Sequence, residues 1–493
     1  MNDAPFPAPV YARTVLAPLF AGYQRHFREH LVAVHHAHGI MLRERGWLTS
    51  EHADAVFTAI AEALAANAGQ TLAYTGEHED FFFWLESEVA ARVGRDVAGR
   101  LHTGRSRNDI DHTVLRMVMR ERLLGILDAV HRLLATLIRR AGENTQTLVV
   151  AYTHGQPAQP TTFAHYLGAL IETLLRDADR LLRATATADR CPLGAAAITT
   201  SGFGLDRARV AELLGFGAVQ ENAYGCIAGV DHIAETFSAL KIMLLGIGRF
   251  VQDLNAWTSF ELGQLHVPDA FVQISSVMPQ KRNPVPIEHL RLQASLAVGR
   301  ADAVLLTLHN TPFTDMNDSE APVHEAGYQA FDTAAGVLEL LDALMDAVTV
   351  NEARVRRQID AACITITELA DSLVRREGVS FREAHEIAAH LARRLVSDGV
   401  ALGALPFAQF AAEFAAALGR APRLSQSDFD RVRTPEHFVA VRDMYGGPAR
   451  MTESLEGYRA QLASSEASAT TYRDRIARAA ELRATEARLP RTA

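Results

Sequence analysis

Ser275-Ser276-Val277-Met278-Pro279-Gln280-Lys281-Arg282-Asn283-Pro284 packs hydroxyls, cationic groups and a carboxamide into a segment closed by a proline. Pro279 and Pro284 oppose regular helix and restrict the residues before them, so the run is expected to be a shaped loop that meets an anion and gives way to helix around Ile287. Two further stretches are polar, punctuated and followed by helical patterns: Thr103-Gly104-Arg105-Ser106-Arg107-Asn108-Asp109 and Thr153-His154-Gly155-Gln156-Pro157-Ala158-Gln159-Pro160. Ser106, Asn108 or Asp109 can cap a helix whose free N–H groups and dipole favour an anion, with Arg107 adding a full charge. Thr153 and His154 are expected just before another helix start, supplying a hydroxyl and a group that exchanges protons near neutral pH.

Long helices must position these stretches. Leu123, Leu127, Val130, Leu134 and Leu137, then Leu167, Leu170, Leu174 and Leu181, recur in steps of three and four. The spacing predicts helices over 109–140, 231–262, 285–309 and 323–349, long enough to suit a bundle. Strand alternation is nearly absent, and the predicted class is all-α. Breaks at 101–106 and 350–355 divide the chain into an expected N-terminal helical domain (1–103), a central long-helix domain carrying the loop (104–352) and a C-terminal helical domain (353–493).

The 493 residues carry 49 Lys+Arg against 58 Asp+Glu, a net charge of −9, which speaks against a nucleic-acid footprint and makes any positive site local. Cys191, Cys226 and Cys363 lie far apart, suggesting neither a disulfide framework nor a zinc knuckle. Met1–Pro9 lacks a basic segment leading into an apolar one, and no run reaches about 18 apolar residues, so a cytoplasmic protein with no membrane contact is expected. His35 and His38 share a helix face, but no partner set for a metal accompanies them. Phe81-Phe82-Phe83-Trp84 fits core better than a pocket lining.

Together, the three stretches resemble the separated signature regions of the aspartase/fumarase superfamily. His102–Asp109 is very close to the first motif of argininosuccinate lyase. The likeness continues through Leu369–Arg375 with Phe381–Glu386, and through Pro435–Arg442 with Tyr445–Pro448. This resemblance implies a homotetramer that pools its central helices, builds each active site from three subunits and uses no cofactor or metal. It also implies a reaction in which an amine leaves a succinyl group, giving fumarate through an aci-carboxylate. By the same resemblance Ser275 is the general base, Lys281 the cation that lowers its pKa, His154 the proton donor or positioning group and Glu288 its partner. Ser106, Arg107, Asn108, Thr153 and Gln156 fall where the family holds the succinyl portion, and Ser276, Met278 and Asn283 belong to the same substrate-binding set.

The other half of the site departs from argininosuccinate lyase. Phe20 and Gln24 stand where that family has a serine and an acid, Phe82 and Val230 where it has His and Arg, and Ile274 where Gly usually precedes the serines. Pro312, Asn317 and Glu320 replace the Tyr, Gln and Lys that grip the arginine portion, and Lys-to-Glu inverts the local charge. The expected substrate is therefore another N-substituted aspartate, of the ethylenediamine-disuccinate or diamine-derived kind. The alternatives are a true argininosuccinate lyase, an adenylosuccinate lyase and a relative that keeps the bundle without the chemistry.

Overall fold

The computed structural model describes residues 6–67, 71–321 and 324–488. Residues 1–5 of the Met1–Pro9 stretch, and Val323 of the expected 323–349 helix, lie outside them. Helix dominates, and the class is all-α. The expected long helices run Arg107–Glu143, Asp231–Trp257, Val285–Leu308 and Glu325–Ala347, with a further one at Phe163–Ala188. The first begins two residues before the expected Asp109, because Ser106 is its N-cap and Asp109 closes a capping box.

These five helices form a closed ring, each packed on the next: 107 on 163, 163 on 231, 231 on 285, 285 on 325, and 325 back on 107. Direction follows from the pairs that tie them. Lys241 meets Asp302 at 2.6 Å and Tyr166 meets Asp253 at 3.0 Å, so those neighbours are antiparallel. Arg122 binds Asp332 at 2.6 Å and Arg139 binds Asp346, so the 107 and 325 helices run parallel. One end of the bundle therefore collects residues 106–108, 189–230 and 309–324. The other collects the 148–162 and 258–284 segments.

Four short two-stranded pairings accompany the helices among the described residues. The longest corrects an expectation: Leu148–Thr153 and Gln156–Thr162 form an antiparallel hairpin, and the next helix begins only at Phe163. His154 and Gly155 take the two turn positions with φ of 52° and 72°, the left-handed pair whose twist matches a tight hairpin. Pro157 and Pro160 fit because each strand of a two-stranded ribbon has a free edge.

One continuous core joins the N-terminal helices to the ring. A separate cluster built on Leu369, Leu373, Leu391, Phe410, Phe414 and Phe429 fills the C-terminal region. There the buried Glu368 accepts hydrogen bonds from Ser372 at 3.1 Å and Arg442 at 2.8 Å and pairs with Arg375, so two of the arginines shared with the family serve packing. The boundary expected at 353 separates the Met451–Glu486 helix from what it packs on. That 36-residue helix returns to the 107 and 163 helices and seals Met451, Leu455, Tyr458 and Leu462 into the main core.

Candidate active site

The 107 helix opens the first part of the site. Ser106 Oγ accepts from the Asn108 N–H at 3.4 Å and donates to Asn108 Oδ1 at 3.1 Å, while Asn108 Nδ2 donates to the Ala197 carbonyl at 3.2 Å. Asp109 locks this entry to the 194–196 turn, accepting from the N–H groups of Ser106, Gly194 and Ala196 at 2.8–2.9 Å. Arg105 is buried and donates to His35 Nδ1 at 2.9 Å, and His38 Nε2 shares a hydrogen bond with the Thr103 carbonyl at 2.9 Å. His35 and His38 thus engage the loop that presents Ser106, Arg107 and Asn108.

Arg107 lies over Phe83, 5.3 Å from the ring centroid, and pairs with Asp80 at 3.0 Å and Glu79 at 3.4 Å. Glu320 shares this neighbourhood. Burial raises its carboxyl pKa, as do Asp315, Asp80 and Glu79, against the pull of Arg107. Of the family departures, Phe20 and Phe82 are core residues. Gln24 tethers the backbone of Leu72, accepting its N–H at 2.8 Å and donating to its carbonyl at 3.0 Å. Phe81 is likewise buried, with Phe83 and Trp84 packed against the same core.

At the far end, Thr153, His154 and Gln156 crown the hairpin with exposed side chains. The Ser275 loop spans a second small ribbon, Gln273–Ile274 against Arg282–Asn283, and the 285 helix starts just beyond it, close to the expected Ile287. Ser275 Oγ accepts from the N–H groups of Val277 at 3.3 Å and Met278 at 3.0 Å, so the backbone already directs positive dipoles at that oxygen. Ser276 and Met278 are exposed, as is Ile274. Lys281 and Glu288 line a cavity of about 740 Å³ together with Arg282, Arg354 and Arg357, whose cations outnumber its one acid. Val230, at the first end, caps the 231 helix.

No hydrogen bond or ion pair among the described residues joins Ser106–Asn108 to His154 or Ser275. They occupy opposite ends of the bundle. The 24-residue 285 helix alone spans about 36 Å at about 1.5 Å per residue. The residues that the motifs would assemble are thus divided between the two ends of the bundle in one chain. Asp111, near Arg107 and Glu320, and His112 escaped the sequence reading because polar residues inside a helical pattern read as a solvated face.

Comparison with known proteins agrees with the fold and the motifs. A family model described as lyase matches residues 30–299, and one described as argininosuccinate lyase C-terminal matches residues 363–440. Argininosuccinate lyase 2 of Agrobacterium fabrum is 51% identical over 98% of this chain and 96% of its own length. Argininosuccinate lyase 1 of Shouchella clausii is 33% identical over 89% of each. Among solved structures, EDDS lyase in complex with formate superposes with a TM-score of 0.86 at 28% identity, covering 98% of both chains. An EDDS lyase variant with bound fumarate gives 0.86 over 97% of this chain and 96% of the other. No described helix is long and apolar enough to cross a membrane. The chain belongs to the argininosuccinate lyase-like branch of the aspartase/fumarase superfamily and is a fumarate-producing carbon–nitrogen lyase.

Proposed function

We propose that this lyase reversibly eliminates an amine from an N-substituted aspartate whose amine portion carries a second positive charge, as in ethylenediamine-disuccinate. Ser275, as alkoxide, takes the proton from the carbon beside a succinyl carboxylate, and the electron pair moves into that carboxylate to form the aci-carboxylate. The C–N bond then breaks, leaving fumarate and an amine that receives its proton from His154, held by Glu288. The rate problem is charge accumulating on one carboxylate, and fixed donors that need no reorganisation meet it best. The observation that carries the reading is the pair of N–H groups already aimed at Ser275 Oγ, on a loop whose Lys281 and Arg282 line a cavity together with Arg354 and Arg357.

Ser276, Met278, Asn283, Lys281, Thr153 and Gln156 would then bind the succinyl part together with Ser106, Arg107 and Asn108, although the last three stand at the other bundle end. Four copies resolve this. The 231 and 285 helices expose Ile242, Leu245, Leu292, Leu296 and Leu306, an apolar face suited to burial in a larger bundle. An antiparallel copy laid on it brings the Ser275 end of one subunit beside the Asn108 end of another. The assembly proposed is a homotetramer with each site shared among three subunits, with small molecules as its ligands and no role for a nucleic acid or a metal.

Glu320 selects the amine, since a carboxylate at that place attracts a second ammonium. Argininosuccinate cleavage is the second reading, favoured by the 51% identity to a protein of that name. Incubating fumarate with arginine, simple amines and diamines, and following addition products by mass spectrometry, separates the two. Efficient conversion of argininosuccinate without addition of any diamine refutes the first.

A further inference from the structure

The hairpin that carries Thr153, His154 and Gln156 is a two-stranded ribbon, and such a ribbon is marginal by itself, held in place by what its edges meet. Val150, on its first strand, stands opposite Pro160, which has no N–H to offer across the ribbon. Both backbone groups of Val150 turn instead to the outer edge, where one side chain takes them. The Val150 N–H donates to Gln264 Oε1 at 2.7 Å, and Gln264 Nε2 donates to the Val150 carbonyl at 3.2 Å, so a carboxamide stands in for a third strand. Val150 and Gln264 are each 0% exposed, so neither bond is open to exchange with bulk water. Gln264 is itself anchored. Its carbonyl accepts the Asn351 N–H at 2.7 Å, and Leu265 and His266 after it pair with Val350 and Thr349. Just before it, Arg354 and Gln358 donate to the Leu262 carbonyl at 3.3 and 2.6 Å.

We infer that Gln264 is a positioning residue for the reaction: by bridging both backbone groups of Val150 it fixes the hairpin that presents Thr153, His154 and Gln156 to the substrate. The inference rests on the reading above in which those three residues meet substrate, and adds what holds them. Val150 also packs with Val355, Ile359 and Ile364, but apolar contact is non-directional and tolerates sliding. Hydrogen bonds to a single residue do not. A slip of one residue along the strand is about 3.3 Å, enough to carry an imidazole out of reach of the proton it serves. Glutamine is the side chain the place needs, because one amide sets an acceptor beside a donor and so matches the N–H and C=O of one residue. A carboxylate would offer two acceptors and a leucine neither, and either would leave a buried backbone group of Val150 unpaired.

A double-mutant cycle on the full-length enzyme tests this, with turnover followed as fumarate consumed with 1,2-diaminoethane or as fumarate released from argininosuccinate, whichever reaction it performs. Gln264→Leu should lower kcat about tenfold, but less than about twofold when added to His154→Gln, because the step that His154 serves is then already lost. A merely structural role would lower kcat alike in both backgrounds. Amide exchange followed by mass spectrometry should quicken about tenfold in residues 148–162 and stay unchanged in the Glu325–Ala347 helix. If Gln264→Leu fails to fold by circular dichroism, Gln264→Glu takes its place in the cycle, since it keeps an acceptor for the Val150 N–H and loses only the donor. An unchanged kcat, unchanged exchange in 148–162, or an equal loss on top of a crippling His154→Gln overturns the tie. Near-normal turnover in His154→Gln with a tenfold loss in Gln264→Leu refutes the proton-donor reading and keeps the tie, since Thr153 and Gln156 ride on the same hairpin. A crippled His154→Gln with a harmless Gln264→Leu does the reverse.

Discussion

The proposed sharing of the site between subunits makes a quantitative prediction for mixed assemblies. Asn108→Ala damages one end and Ser275→Ala the other, and each variant alone should be inactive. The 285 helix puts about 36 Å between the two ends of one chain, roughly ten times a catalytic hydrogen-bond length, so no single chain can bring both residues to one substrate. When the two variants are mixed one to one and reassembled, a site draws its Asn108 and its Ser275 from different copies, and each is intact half the time. About one quarter of the sites then recover both, so fumarate release should return to about 25% of wild type treated in the same way. The assay is joint refolding of the two differently tagged variants, pull-down through each tag to show mixed assemblies, and initial rates on the unfractionated mixture. Activity no higher than that of the parents, in assemblies that demonstrably contain both chains, refutes the shared site.

Further outcomes follow from individual contacts. Ser275→Ala should cut turnover about a thousandfold or more while leaving the size-exclusion profile unchanged, and near-normal turnover would remove Ser275 as the base. Lys281→Met should weaken fumarate binding as well as turnover, and Lys281→Arg should not restore either, because a planar fork needs different space from an ammonium; unchanged fumarate affinity by calorimetry in the Met variant contradicts this. Gly327→Ala would drive a Cβ into the Phe237 ring between the 231 and 325 helices, at a cost of about 1–3 kcal/mol, read as a lower urea midpoint. An unmoved midpoint would show that the ring yields freely. His36 is held at about 4, first by burial and then by Arg483, below its ordinary 6.5. The unfolded chain therefore takes up that proton first, and stability drains as pH falls from 6.5 toward 4, by up to about 3 kcal/mol. His36→Gln should show a smaller loss of urea midpoint between pH 7 and pH 4.5, and an identical loss would remove His36 as its source.

Local chemistry was legible in the residues. The prolines around Ser275 marked a loop that ends at a helix start, Ser106 and Asp109 marked a capped helix, and steps of three and four marked the long helices, because caps, ring constraints and periodicity act over a few neighbours. The hairpin at His154 was hidden by Pro157 and Pro160, which argue against a strand unless its edge is free, and edges are known only once strands are paired. The Met451–Glu486 helix was hidden by its Ser, Ala and charged surface, so that its thin apolar seam showed only against the 107 and 163 helices it covers. Asp111 and His112 looked solvated until residues 23 and 315 came to lie over them. The sequence by itself determined which residues can polarise, cap and carry charge. Tertiary structure alone decided that Ser275 and Asn108 face opposite ways, because the end at which a loop emerges depends on how many helices precede it and on how they pair, and no local segment records that count.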